Sequence, residues 1–193
     1  MMIAFPIVWA LLTLYMHIKK LPFFRFFVGT LGGFIILMYL GKEYLNESLI
    51  NITLRILSSV FMFSDSIVVF PSSNAVTILS GIDRLSYFLT FECSGYVEMI
   101  VFLNVYAFFT LKIGFFKRIL TMIFGIVYLL IANVIRITIM SYIVVAFGIE
   151  SYFIAHVIIS RLIFMMFNII LYYYALTLPH VKRQNVSSFK SAV

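Results

Sequence analysis

Five long stretches with almost no charged side chain dominate this chain: 3–18, 23–40, 95–111, 118–147 and 156–178. A helix needs roughly 20 apolar residues, with a working range of about 17–25, to cross the ~30 Å hydrocarbon core of a bilayer. Inside that core only helices and closed barrels satisfy their own backbone polar groups. Barrel strands alternate in polarity over segments of ~10 residues, and these stretches are unbroken instead. The chain therefore reads as an all-α polytopic membrane protein with about five transmembrane helices. Composition agrees, since 11% of the 193 residues are charged, where a soluble domain carries ~25%. A single integral membrane domain over 1–193 is expected. It comprises two N-terminal spans (1–40), an extracytoplasmic segment (41–94), a three-span core (95–178) and a cytoplasmic tail (179–193).

The formal net charge of +7 does not point to nucleic acid, because the cations sit at the ends of apolar runs rather than along one helical face. They act as topology signals. Lys19, Lys20 and Arg25 mark one loop as cytoplasmic, Lys112, Lys117 and Arg118 a second, and Lys182, Arg183 and Lys190 the tail. Glu43, Glu47, Asp65, Asp83, Glu92 and Glu150 then fall outside. Five crossings put all three basic clusters on one side, with the N-terminus outside and the C-terminus in the cytoplasm, in the plasma membrane. The first apolar run has no basic residues before it and no small-residue cleavage site after it, so it reads as an anchor.

The stretch 49–70 is apolar enough to tempt a sixth crossing. Asn51, Arg55, Ser58, Ser59, Ser64 and Asp65 interrupt it, and counting it would move the second basic cluster outside. An interfacial or re-entrant segment on the outer surface is expected there. Pro71-Ser-Ser-Asn74 then reads as a turn, 75–79 as β-prone, and Gly81-Ile-Asp83 as a second turn. From 85 to 92 the polarity alternates, with Leu85, Tyr87, Leu89 and Phe91 on one face. A small extracytoplasmic β-hairpin before the third span is predicted.

Three reactive side chains far apart in sequence reach one depth. Cys93, in Glu92-Cys-Ser-Gly95, lies at the outer start of the third span, where Gly95 supplies the freedom a strand-to-helix turn needs. The positive end of a helix favours thiolate, and Glu92 and Glu98 oppose it, so a cationic partner is required. Arg136 lies ~27 Å along the fourth span, close to the outer face. Asn133, three residues earlier, shares its helix face. His156 opens the fifth span at the same level, with a side chain suited to proton transfer near neutrality. Arg161, ~8 Å deeper, is a candidate cavity-lining residue.

Each of these has a bland reading as well. A lone cysteine is often a buried small hydrophobe, a histidine at a helix start often caps or anchors, and an embedded arginine often snorkels to the headgroups. Arg25 reads as such an anchor, and Arg55 as an interfacial contact. One cysteine forms no internal disulfide, and His17, His156 and His180 are not at ligand spacing, so neither a metal nor another cofactor is called for. Ser94, Ser141 and Ser160 occur without a Gly-x-Ser-x-Gly elbow, which places a serine hydrolase last. A non-enzymatic membrane protein, such as a transporter subunit or assembly factor, is the alternative. Its usual marks, mid-depth acids and paired broken helices, are missing.

Glu92-Cys93-Ser94-Gly95, then Asn133-Val-Ile-Arg136, then His156 near the start of the last apolar run, resembles the exosortase/archaeosortase family of membrane cysteine transpeptidases and proteases. The short length is similar to its Gram-positive-type branch. The resemblance covers roughly 74–178, and the first seventy residues contribute only generic spans. It implies a catalytic set of Cys93, Arg136 and His156, supported by Asn133, Ser94, Gly95 and Arg161. The implied reaction is cleavage of exported proteins that carry a C-terminal transmembrane sorting signal, on the extracytoplasmic side. Transfer to a membrane lipid or lipid-linked acceptor would follow, with no nucleic acid involved. The acids near Cys93 and the short N-terminal half depart from larger relatives and bear on substrate choice.

Overall fold

A computed structural model describes residues 4–42, 44–80, 83–109, 114–179 and 181. The elements in chain order are α1 (Ala4–Ile18), α2 (Pro22–Gly41), α3 (Tyr44–Val60), β1 (Ile67–Phe70), β2 (Ala75–Ser80), β3 (Asp83–Phe88), α4 (Tyr96–Phe108), α5 (Phe115–Phe147) and α6 (Ser160–Tyr172). The protein is mostly helical and of membrane type. Among the described residues, three helical stretches, Pro22–Gly41, Phe115–Phe147 and Ile149–Thr177, are long and apolar enough to cross a membrane. Phe5–Ile18 and Tyr96–Phe108 are apolar but shorter. The expected tail from 182 onwards lies outside the described residues, as does most of the turn at 81–83.

The chain divides into two interleaved compact units, and α4, α5 and the last helical stretch each contribute to both. The first unit takes in Met1–Gly41, Glu98–Ile126 and Ile170–Val193. Its helices approach closely through glycine. A Cβ at Gly32 would collide with the Trp9 indole, one at Gly33 with the Asn104 amide, and one at Gly29 with the Phe108 ring. Small residues let apolar helices meet where water supplies no hydrophobic drive. Trp9 Nε1 donates to Val28 O at 3.0 Å, which satisfies the indole in an apolar setting. Arg118, read from sequence as a topology signal, also folds back on the end of α4. Its Nη2 donates to the carbonyls of Tyr106, Ala107 and Phe109 at 2.9, 2.5 and 2.7 Å, covering acceptors the helix end leaves open.

The second unit spans Lys42–Val97 and Val127–Ile169. Its core joins one face of α3 (Ile50, Leu54, Leu57), the inner face of the sheet (Ile67, Val76, Ile78, Tyr87) and α5 (Val134, Ile137, Met140, Val144). Asn51, Arg55 and Ser59 lie on the exposed side of α3. The polar interruptions that spoiled 49–70 as a span are thus the outer face of an amphipathic helix.

The predicted hairpin is a three-stranded antiparallel meander in the order β1-β2-β3. β2 and β3 match the expected pair, in a register that sets Val76 opposite Tyr87. The extra strand, Ile67-Val-Val-Phe70, comes from the end of the segment read as interfacial and pairs Ile67 with Ile78. Its β-branched run is a strand signal, which the long apolar stretch before it obscured. Leu85, Tyr87 and Leu89 face the core as the alternation predicted. Pro71–Ser73 form the expected turn as a 3-10 segment, closed by Asn74 at φ 52°.

Candidate functional site

All three reactive side chains lie in the second unit, and two of them meet directly. Cys93 Sγ is 3.9 Å from His156 Nε2, and both residues are half-buried. β3 leads through Thr90 into a 3-10 turn, Phe91–Cys93, in which the Cys93 amide donates to Thr90 O at 3.0 Å. Gly95 follows at φ +75°, a conformation that suits glycine and redirects the chain into α4. Ser94 closes the turn. Its Oγ donates to Phe91 O at 2.9 Å and accepts from the Tyr96 amide at 3.2 Å, satisfying one open donor at the start of α4. A hydroxyl so employed, and fully buried, is a structural cap.

Arg136 and Asn133 project from one face of α5 and grip the same turn. Arg136 Nη2 donates to Cys93 O at 2.9 Å. Asn133 Nδ2 donates to Cys93 O at 3.2 Å and to Ser94 O at 3.0 Å. The cysteine carbonyl thus receives two side-chain donors, one of them charged, which makes its bond the stronger. Asn133 also stands against Gly95, where a Cβ would come within 3.3 Å of its amide carbon. Both side chains are buried, with Asn133 fully enclosed and Arg136 6% exposed. The Arg136 guanidinium lies over the Phe164 ring, 4.8 Å from its centroid, a cation–π contact that helps hold a charge away from water.

His156 sits within a π-helical turn, Ile154–Ile159, whose wide loop closes through Ser160 N–H to Ala155 O. Such turns are rare and frequent at functional sites. The ring stacks on Tyr152, one helical turn earlier, at 5.3 Å and 4°. His156 Nδ1 is 3.2 Å from Met140 Sδ. A thioether has no proton to give, so this contact is a hydrogen bond in the tautomer that carries its proton on Nδ1. The neutral ring then presents a bare Nε2 to the thiol, the form a base needs to take its proton.

Met140, Tyr152 and Phe164 were not singled out from sequence. Spacing holds the signal for two of them, since Met140 is four residues beyond Arg136 and Tyr152 four before His156. Next to this cluster, Tyr87 Oη and Ser141 Oγ are 2.9 Å apart, and Ser141 donates to Ile137 O. Burial pushes the Tyr87 phenol well above its ordinary range, keeping it neutral. Arg161 is exposed on α6 and makes no hydrogen bond to the cysteine cluster among the described residues.

Comparison with known proteins returns nothing. No family model, curated protein or solved structure matches this chain.

Proposed function

We propose that this chain is a membrane-embedded cysteine transpeptidase or protease, akin to the exosortase/archaeosortase family, that processes exported proteins bearing a C-terminal transmembrane sorting signal. The observation that carries this reading is the pairing of Cys93 Sγ with His156 Nε2 at 3.9 Å, on a cysteine whose carbonyl is held by Arg136 and Asn133. Inert packing asks for none of these: a core cysteine needs apolar neighbours, not a histidine and a buried arginine.

In the proposed reaction His156 Nε2 takes the thiol proton as Sγ attacks the scissile carbonyl carbon. The C–N bond breaks, the leaving amine receives that proton, and a thioester forms. An acceptor nucleophile or water then displaces sulfur, which regains its proton through His156. Arg136 supplies positive charge beside the reacting atoms, where it stabilises thiolate or the developing oxyanion. Asn133, Ser94 and Gly95 set the angle at which the thiol is presented. The same reading takes the two shorter apolar helices as spans. That gives five crossings in the plasma membrane, the N-terminus outside and the thiol facing the extracytoplasmic side.

The test is a comparison of the C-termini of exported membrane-anchored proteins in cells carrying wild type, Cys93→Ala or His156→Ala. Loss of a specific set of processed C-termini in both variants, with the protein still accumulating, supports the reading. Unchanged processing in Cys93→Ala sinks it and leaves a non-enzymatic membrane protein.

A further inference from the structure

The turn between α1 and α2, remote in sequence from the cysteine, encloses an open cavity of about 250 Å³ lined by Met16, His17, Lys20, Leu21, Pro22 and Arg25. Its lining is mostly apolar, and the polar side chains on it are donors. Arg25 Nη1 donates to His17 Nδ1 at 2.7 Å, so His17 carries its own proton on Nε2 and is a further donor there. Arg25 Nε is buried without a hydrogen-bond partner among the described residues. Lys20 adds three N–H donors.

The acceptors beside these donors are the backbone carbonyls at the end of α1. The turn itself uses two of them, because Leu21 N–H bonds Met16 O at 3.0 Å and Lys20 N–H bonds His17 O at 3.2 Å. This is a Schellman-type closure around Lys20 at φ 56°. No acid occurs anywhere in residues 1–42, and neither Lys20 nor Arg25 forms an ion pair among the described residues. The negative end of α1 and the positive end of α2 both face this turn and largely offset each other, so the side-chain cations set its charge. Met16, Leu21 and Pro22 supply an apolar collar.

We propose that this cavity is a binding site for the phosphate of an anionic phospholipid headgroup, seated on Lys20, Arg25 and His17 with its glycerol end against the apolar collar. Donors and cations around an open, mostly apolar pocket ask for an anion with several acceptor oxygens and an apolar body. The collar, on a hairpin of two apolar helices, favours a lipid over a free ion. The proposal does not depend on the cysteine chemistry.

It is tested on the full chain in detergent micelles by native mass spectrometry, with added dioleoylphosphatidylglycerol or dioleoylphosphatidylcholine. Wild type is expected to retain the anionic phosphatidylglycerol in preference, and Lys20→Gln and Arg25→Gln each to weaken retention about fivefold. Equal retention of both lipids, or no change in the variants, overturns the site. Displacement of the bound lipid by inorganic phosphate alone overturns the lipid assignment in favour of a free phosphate ligand. Fluorescence of Trp9, the one tryptophan, reports whether the α1–α2 hairpin still forms. Where Arg25→Gln disturbs it, Lys20→Gln decides alone, because that side chain is exposed and bonds nothing described.

Discussion

At Cys93 the main chain and the side chain have different partners. The carbonyl belongs to Arg136 and Asn133, and the thiol to His156. Spacing alone suggested that Arg136 would act on the sulfur, whereas its hydrogen bond to the cysteine runs through the backbone. Met140 favours the tautomer of His156 whose Nε2 is bare. Met140→Leu keeps the volume and removes the acceptor, so alkylation of Cys93 at neutral pH should slow by up to about tenfold, the worth of one modest hydrogen bond. Met140→Gln, which offers an acceptor again, should recover part of the rate, and nitrogen NMR of His156 should show the tautomer shift and return. A rate unchanged in Met140→Leu refutes the assignment. Tyr87 carries a prediction of its own. Its folded-state pKa is raised by burial, so its contribution to stability is whole below the ordinary phenol pKa and is lost as pH rises beyond it. Alkaline titration followed by circular dichroism should destabilise wild type above that value, and Tyr87→Phe should blunt the alkaline loss while giving up the bond to Ser141.

Among the elements, the passage from β3 into α4 shows how much of the site was legible. Glu92-Cys-Ser-Gly95 signalled a strand-to-helix turn, and Gly95 does take a positive φ there. What four letters do not carry is that Asn133, 39 residues beyond Ser94, binds its carbonyl and packs on Gly95. Gly95→Ala therefore meets two penalties. It forces an L side chain into the left-handed region, at about 1–2 kcal/mol, and it presses on Asn133. Thermal unfolding and Cys93 labelling should both worsen, and labelling should suffer even in molecules that remain folded. α3 shows the reverse case. Its polar residues were visible, and their periodicity marks an amphipathic helix, but whether its apolar face met lipid or protein depended on a sheet whose first strand was concealed. The π-helical turn at His156 leaves no mark in the local letters, because the wide turn answers to packing around it rather than to propensity.

For the whole molecule, one cysteine in 193 residues makes orientation measurable. The proposed topology predicts rapid modification of Cys93 by a membrane-impermeant thiol reagent added to the outside of intact cells. His156→Ala should slow it about a hundredfold or more, the lower range for loss of a positioned base. Labelling only after the membrane is breached would place the thiol on the other side and require the topology to be rebuilt.

Membrane character was determined by the sequence alone, because the length and apolarity of a helix are sums over neighbouring residues, and the solvent it needs follows from those sums. The sheet's inner face was likewise readable in the alternation of Leu85, Tyr87 and Leu89. Only the tertiary structure decided which atoms of Cys93, Arg136 and His156 face one another, and that Met140, Tyr152 and Phe164 stand behind them. Hydrogen bonds and ring contacts depend on ångström distances between atoms that mostly belong to different elements, and no local pattern encodes those distances.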